Sequence, residues 1–88
     1  MNIHDILDQL VQYEGSDVHI VVGHQPYFRL EGELKPVEGA PVLNSQQAEA
    51  LILPILTQEQ KDYLEVNKEI DFGYQFGDKG RFRVNVYN

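Results

Sequence analysis

Two runs in which apolar and polar residues alternate close the chain, and they constrain its fold more than any other feature. In residues 69–76 and again in residues 81–87, every second residue is apolar. This period of two predicts two β-strands, each with one face towards a core and one towards water. The apolar members are Ile70, Phe72, Tyr74 and Phe76 in the first run, and Phe82, Val84 and Val86 in the second. The short segment between the runs predicts a hairpin, and therefore an antiparallel sheet.

Matching the apolar faces of the two strands predicts the register of this hairpin, because directly opposed residues share a face. Pairing Phe76 with Phe82 leaves Asp78-Lys79-Gly80 as a three-residue loop, with a glycine at the position that favours a left-handed backbone. The same register sets Tyr74 opposite Val84, Phe72 opposite Val86, Gly77 opposite Arg81, Gln75 opposite Arg83, Gly73 opposite Asn85 and Asp71 opposite Tyr87. The polar face of the closing strand then carries Arg81, Arg83 and Asn85.

The first half of the chain predicts one helix followed by three strands. Apolar residues recur at helical spacing from Ile3 to Val11, which predicts a helix over about residues 3–14 that ends at Gly15. Segments rich in β-branched residues or with alternating polarity predict three strands, over residues 18–22, 27–31 and 34–37.

Two more helices are predicted before the closing hairpin. Asn44 or Ser45 caps the first of them, and Pro54 stops or kinks it near its end. Residues 57–60 read Thr-Gln-Glu-Gln, a capping-box pattern that opens the next helix, through about Val66. The order is α-β-β-β-α-α-β-β. Mostly antiparallel strands with helices packed on one face make an α+β domain.

Length and composition indicate one soluble domain and limit its partners. The chain has 88 residues, enough for a single modest core, and no cysteine, which excludes disulfides and thiolate metal sites and favours a reducing compartment. Its formal net charge is −7. Phosphate backbones are bound through lysine and arginine, so we expect no nucleic acid partner.

The sequence offers little for catalysis. It contains no Gly-x-x-x-x-Gly-Lys-Ser/Thr loop that could cradle phosphates. Asp17 and His19 share the face opposite Val18 and Ile20, and we interpret them as a surface or interface pair rather than as metal ligands. We therefore predict no catalytic residue and no metal site in these 88 residues.

Arg81 and Arg83 allow two interpretations. They could be solvated residues on the wet face of a sheet. Alternatively, two guanidinium groups on one face suit a phosphate or an acidic partner, because each presents a fork of hydrogen-bond donors. Spacing alone favours the first interpretation.

Two sets of motifs resemble those of the type IV pilus retraction ATPases, the PilT family of the secretion ATPase superfamily. The first is Ser-Asp-Val-His-Ile at residues 16–20, followed by Gly23, Pro26 and Arg-Leu-Glu-Gly at residues 29–32. The second is Glu-Ile-Asp-Phe at residues 69–72, followed by Arg-Phe-Arg-Val-Asn-Val-Tyr at residues 81–87. The motifs come in the family's order and span nearly the whole chain. Glu31 departs from the aspartate that is usual before Gly32.

The resemblance implies a PAS-like N-terminal domain, here residues 1–88, truncated before the linker and the RecA-like motor domain. It implies a parent protein that is a cytoplasmic homo-hexamer at the inner-membrane base of the pilus, where it uses ATP and Mg to drive retraction and twitching motility. The domain packs on the motor domain of the adjacent subunit and helps close its nucleotide site. Arg81, Arg83 and Asn85 are then candidates for contact with nucleotide phosphates or the neighbouring subunit, and Asp17, His19 and Asp71 for the interface.

Three further expectations follow. The chain alone is not an enzyme and has no cofactor, since the nucleotide site lies in the missing domain. An unpaired sheet edge favours a homodimer of the fragment at high concentration. The alternative function is a free-standing PAS-like sensor that binds a small ligand in its core, for which the sequence offers no buried polar cluster.

Overall fold

The computed structural model describes residues 1–88, and its elements follow the predicted order. The helices are α1 (Ile3–Gln12), α2 (Ser45–Ile52) and α3 (Gln58–Asn67). The strands are β1 (Asp17–Val21), β2 (Tyr27–Leu30), β3 (Glu33–Pro36), β4 (Glu69–Phe76) and β5 (Gly80–Tyr87). The α+β prediction is confirmed. None of the helices is both long and apolar enough to cross a membrane.

The five strands form one sheet in the order β3-β2-β1-β5-β4. Three of the four pairings are antiparallel, as predicted, and the central pairing of β1 with β5 is parallel. This pairing joins the start of the chain to its end. It sets Asp17 beside Arg83 and His19 beside Asn85, which the separate strand predictions did not anticipate.

The helices pack on one face of the sheet. The apolar stripe of α1, from Ile3 to Leu10, is almost fully buried. It joins the inward-facing residues of β1 and β5 in one core of 19 buried residues. Those inward residues are Val18, Ile20, Phe82, Val84 and Val86. Their alternation leaves every other side chain of the two central strands on the opposite face.

All three helices begin with a capping box. In this motif the side chain of the cap residue accepts from the backbone N–H three residues later, and the side chain of that later residue accepts from the backbone N–H of the cap. Asn44 is the cap of α2, with Gln47 as its partner, and Thr57 is the cap of α3, with Gln60. Helix α2 ends at Ile52, and a short 3₁₀ turn that contains Pro54 follows it. The predicted starts and the predicted stop are therefore confirmed.

The end of α1 differs from the prediction. The helix ends at Gln12, and Glu14 rather than Gly15 takes the left-handed backbone, with φ of 56°. Gly15 is needed for space instead. A Cβ there would lie 2.5 Å from Cδ1 of Leu10 and 2.8 Å from Cδ2 of Leu30.

The predicted register of the β4–β5 hairpin is wrong by two residues. In the structure Tyr74 pairs with Phe82, Gln75 with Arg81, Gly73 with Arg83 and Asp71 with Asn85. A shift of two residues keeps every side chain on its face, so matching apolar faces could not detect it. The loop is residues 77–79, opened by Gly77 at φ 55°. Gly80 lies in the strand opposite Phe76, and the ring of Phe82 lies against it.

Candidate functional site

The sheet face opposite the helices carries all six residues that the sequence singled out. We call this surface the polar face. Asp17 and His19 come from β1, Asp71 comes from β4, and Arg81, Arg83 and Asn85 come from β5. The parallel β1–β5 pairing and the antiparallel β4–β5 pairing bring the three strands side by side. The site is thus assembled from residues that lie up to 68 positions apart in the sequence, from 17 to 85.

Arg83 is clamped by Asp71. Its Nε donates to Oδ1 of Asp71 at 2.9 Å and its Nη2 donates to Oδ2 at 2.5 Å, a two-pronged ion pair. The Arg83 hydrogen bond is the main cause of a lowered pKa of the Asp71 carboxyl, and the same contact raises the pKa of Arg83. Both groups are therefore charged at neutral pH. The guanidinium fork is already occupied by a partner of the same sheet.

Asp17 adds a second carboxylate to this pair. Its Oδ2 lies 3.9 Å from Nη1 of Arg83, and its side chain is only 16% exposed. The two residues are register partners in the parallel pairing. One guanidinium thus lies between two carboxylates from different strands, so its positive charge is balanced locally.

Arg81 differs from Arg83 in this respect. It takes part in none of the three ion pairs of the structure. Its guanidinium lies over Gly73, where a Cβ would be 2.8 Å from Nη2. Because glycine has no side chain, the Arg81 guanidinium can lie directly over Gly73. Of the two arginines on β5, Arg81 keeps its donors free for an external anion.

Lys79 does not add to a positive cluster around the two arginines. Its Nζ lies 2.8 Å from Oδ1 of Asp8 on α1 and 4.9 Å from the centre of the Phe76 ring. Phe76 belongs to the helix-covered side of the sheet. The lysine therefore links the hairpin loop to α1, and the positive groups of β5 on the polar face are arginines alone.

Asn85 lies on the polar face, as its position in the alternation predicts, but it is buried. It is 6% exposed and is the one polar residue among the buried ones. The two neighbouring strands cover it, with His19 on one side and Asp71 on the other. Oδ1 of Asn85 has no hydrogen-bond partner in the structure. A polar residue kept in such a place points to a specific contact.

His19 is also partly enclosed. Its ring stacks on Tyr27 of β2, with 4.9 Å between the ring centres and 13° between the planes. Desolvation by burial is the main cause of a lowered pKa of this histidine, so the ring is neutral at physiological pH. Its Nε2 is buried and has no hydrogen-bond partner.

The polar face can bind, but it contains no nucleophile with an activating base next to it. Nowhere in the structure do three or more histidine, cysteine, aspartate or glutamate side chains converge in a way that could hold a metal ion. The chemistry available to this face is recognition of an anion or an acidic group by guanidinium donors.

Sequence reasoning missed two features: Arg83 is ion-paired while Arg81 is not, and Asn85 is buried. The register error caused the first omission, because it paired Arg83 with Gln75 and placed Asp71 opposite Tyr87. The burial of Asn85 was missed because the parallel pairing of β1 with β5 was not predicted. A signal was present: Asp-Val-His-Ile-Val at residues 17–21 and Arg-Val-Asn-Val-Tyr at residues 83–87 share one pattern, as two adjacent central strands would.

Comparisons with known proteins agree on one group of relatives. No protein-family model matches the sequence. The chain is 32% identical, over all 88 residues, to the type IV pilus retraction ATPase PilT of Pseudomonas aeruginosa, of which it covers 25%. It is 30% identical over 87 residues to the type IV pilus ATPase PilU of the same organism, of which it covers 22%.

A solved structure shares the fold. The crystal structure of the pilus retraction motor PilT with bound ADP superposes with a TM-score of 0.79 at 25% sequence identity. The match covers 99% of this chain and 25% of the motor chain. The chain therefore spans about a quarter of the length of the relatives it matches.

Proposed function

Because the chain is an N-terminal domain of the PilT family of type IV pilus retraction ATPases, we propose that it is a regulatory and docking domain of a hexameric motor. In this proposal the 88 residues are followed by a linker and a RecA-like motor domain in a longer parent chain. The domain packs on the motor domain of the adjacent subunit and helps close its nucleotide site. The parent binds ATP and Mg and works in the cytoplasm at the inner-membrane base of the pilus.

One observation carries the proposal: Arg81 presents a guanidinium without an ion pair on an otherwise acidic domain. We assign Arg81 the outward contact, either with a nucleotide phosphate or with a carboxylate of the neighbouring subunit. Arg83 has a different role, because Asp71 and Asp17 already surround it. It holds β4, β5 and β1 in register and so keeps the face in shape for docking.

The proposal also defines what the 88 residues do not do alone. We expect them to hydrolyse no ATP and to bind nucleotide negligibly, since one guanidinium is too little to hold a triphosphate. We expect no nucleic acid partner, because the net charge of −7 repels phosphate backbones. No observation in the structure favours the alternative of a free-standing sensor.

The decisive experiment uses the parent motor with single substitutions in this domain. We expect Arg81→Ala to lower the ATPase rate about tenfold or more, the usual effect of losing a charged contact at a phosphate or subunit interface. The domain should remain folded, because the Arg81 side chain makes no ion pair. The matched control is Lys61→Ala, which removes one positive charge from α3, on another part of the domain.

An unchanged rate in Arg81→Ala would contradict the assignment of Arg81. An equally lowered rate in Lys61→Ala would mean that the effect comes from the change in net charge rather than from a contact of Arg81. Detectable ATP turnover by the purified 88-residue chain would contradict the proposal that the site lies elsewhere in the parent.

A further inference from the structure

Two buried polar atoms on the polar face lack partners, and they belong to residues that pair directly. They are Nε2 of His19 and Oδ1 of Asn85. His19 on β1 and Asn85 on β5 are register partners, so their side chains leave adjacent strands on the same face. One of these atoms can donate a hydrogen bond and the other can accept one. A hydrogen bond between them would satisfy both atoms at once.

The orientation of the Asn85 amide supports this pairing. Asn85 and Asp71 are register partners on β5 and β4, and Asn85 is a lesser cause of the lowered pKa of the Asp71 carboxyl. Only the amide nitrogen of asparagine can donate to a carboxylate, so this influence fits an amide whose Nδ2 faces β4. The carbonyl oxygen Oδ1 is then the atom left for the β1 side, where His19 lies.

The surroundings of His19 favour a neutral ring. The carboxylates of Asp17 on its own strand and of Asp71 on β4 favour the charged form, while Arg29 on β2 and Arg83 on β5 disfavour it. Because these charges oppose each other, desolvation decides, and it favours the neutral form. A neutral imidazole has one N–H. If that proton is on Nε2, the donor belongs to the register partner of Asn85, whose Oδ1 also lacks a partner.

We propose that His19 positions Arg83 through a chain of hydrogen bonds that crosses three strands. Nε2–H of His19 donates to Oδ1 of Asn85, Nδ2–H of Asn85 donates to the carboxylate of Asp71, and that carboxylate accepts both donors of Arg83. His19 is thus a positioning residue, since it acts on Arg83 only through Asn85 and Asp71. The value of this arrangement for docking rests on the proposed function, but the chain of bonds itself does not.

The chain of bonds explains why the two arginines of β5 behave differently. In the proposed chain the Asp71 carboxylate is held from two sides, by Asn85 and by Arg83, so it stays turned towards Arg83, whose two hydrogen bonds to it are present in the structure. Arg83 is held against the sheet as a result. Arg81 has no such support and remains the mobile cation of the pair. His19 therefore selects which guanidinium the polar face offers to a partner.

NMR on the 88-residue chain tests the proposal. In the wild-type protein the ¹⁵N shifts of His19 should show the Nε2–H tautomer, and the ring should stay uncharged at pH values below the pKa of a free histidine. In His19→Phe the ring can still stack on Tyr27, but the donor is gone. We expect the Nε–H of Arg83 to exchange with water about fivefold faster in this variant, the factor for losing one ordinary hydrogen bond.

The conservative variant His19→Gln is the rescue, because its amide nitrogen reaches about as far as Nε2 of histidine. It should return the Arg83 exchange rate to near the wild-type value. His24→Phe, in the exposed turn after β1, is the control and should change nothing. Backbone amides of α1, such as that of Leu10, report whether a variant has merely loosened the whole domain.

Three results would overturn the proposal: an Nδ1–H tautomer or a charged ring in wild-type protein at neutral pH, an unchanged Arg83 rate in His19→Phe, or no rescue by His19→Gln. If His19→Phe does not fold, the tautomer of the wild-type protein still decides. None of these measurements depends on ATPase activity. The experiments therefore distinguish a failure of the proposed docking function from a failure of the proposed chain of hydrogen bonds.

Discussion

Arg81 and Arg83 are two residues apart on one strand and carry the same side chain, yet their surroundings give them different chemistry. Arg83 meets both oxygens of Asp71, whereas Arg81 lies over a glycine and meets no carboxylate. A clamped guanidinium stabilises the fold and a free one can bind. The difference arises from the residues of β4 rather than from the arginines themselves.

Asp71 gives a pH-dependent test of the clamp. Its folded-state pKa lies below the unfolded value of about 3.9, so the stabilisation is fully present above that value and is lost as pH falls through the lower folded pKa. With 43% of the side chain exposed, we expect Asp71→Asn to reduce the free energy of unfolding by no more than about 1 kcal/mol at pH 7. Urea unfolding between pH 7 and 3 measures this difference.

The gap between wild type and Asp71→Asn should shrink as the pH approaches 3, because the carboxylate binds a proton more readily in the unfolded state, where its pKa is higher. Asp78→Asn is the control, since Asp78 lies in the hairpin loop and takes part in no ion pair. A gap that stays constant over the whole range would mean that the charge of Asp71 contributes nothing to stability.

Gly15 and Gly73 differ in how much space the neighbouring side chains leave for a Cβ. Gly15 joins α1 to β1 and faces Leu10, which is fully buried and has no room to move. We expect Gly15→Ala to lower the free energy of unfolding by about 1–3 kcal/mol, the usual effect of overpacking a core. Chemical denaturation measures this loss. Wild-type stability in the variant would show that the junction between α1 and β1 can relax.

Gly73 faces only the end of a flexible arginine. In Gly73→Ala the new Cβ meets the guanidinium of Arg81, which can swing away towards water. Alanine suits a strand better than glycine, so we expect unfolding free energy to be unchanged or raised by up to about 1 kcal/mol. Thermal denaturation tests stability, and the ¹⁵N shift of the Arg81 side chain tests its displacement. An unmoved Arg81 would contradict the resting place assigned to it.

The sequence was sufficient for the elements but not for their pairing. Period and caps located the helices and strands because these depend on neighbours in the chain, as Thr57 and Gln60 do at the start of α3. The hairpin register depends on where the turn opens, and a loop that starts at Gly77 or at Asp78 keeps the same faces. The β1–β5 pairing joins distant segments. The clamp of Arg83 and the burial of Asn85 depend on both the register and this pairing, so neither was predicted.

The distribution of charge over the whole molecule follows from this topology. The chain has three arginines, Arg29, Arg81 and Arg83, and the register places all of them on the polar face. The formal net charge is −7, and on this face Asp17 and Asp71 balance the charge of Arg83, which leaves Arg29 and Arg81 as its arginines without an ion pair. Arginines without an ion pair favour contact with an acidic surface.

The two edge strands differ in their capacity to recruit a second copy. Strand β3 has four residues and ends at Pro36, which has no N–H to donate, whereas β4 has eight residues and leaves one side unpaired. A long edge of this kind pairs with another strand. We therefore expect a weak homodimer through β4, with a monomeric profile at micromolar concentration and a dimeric one at millimolar concentration in small-angle X-ray scattering. Concentration-dependent broadening should affect β4 amides and spare those of β3. A monomer at millimolar concentration would contradict this assignment, and broadening at β3 would show that the other edge is used.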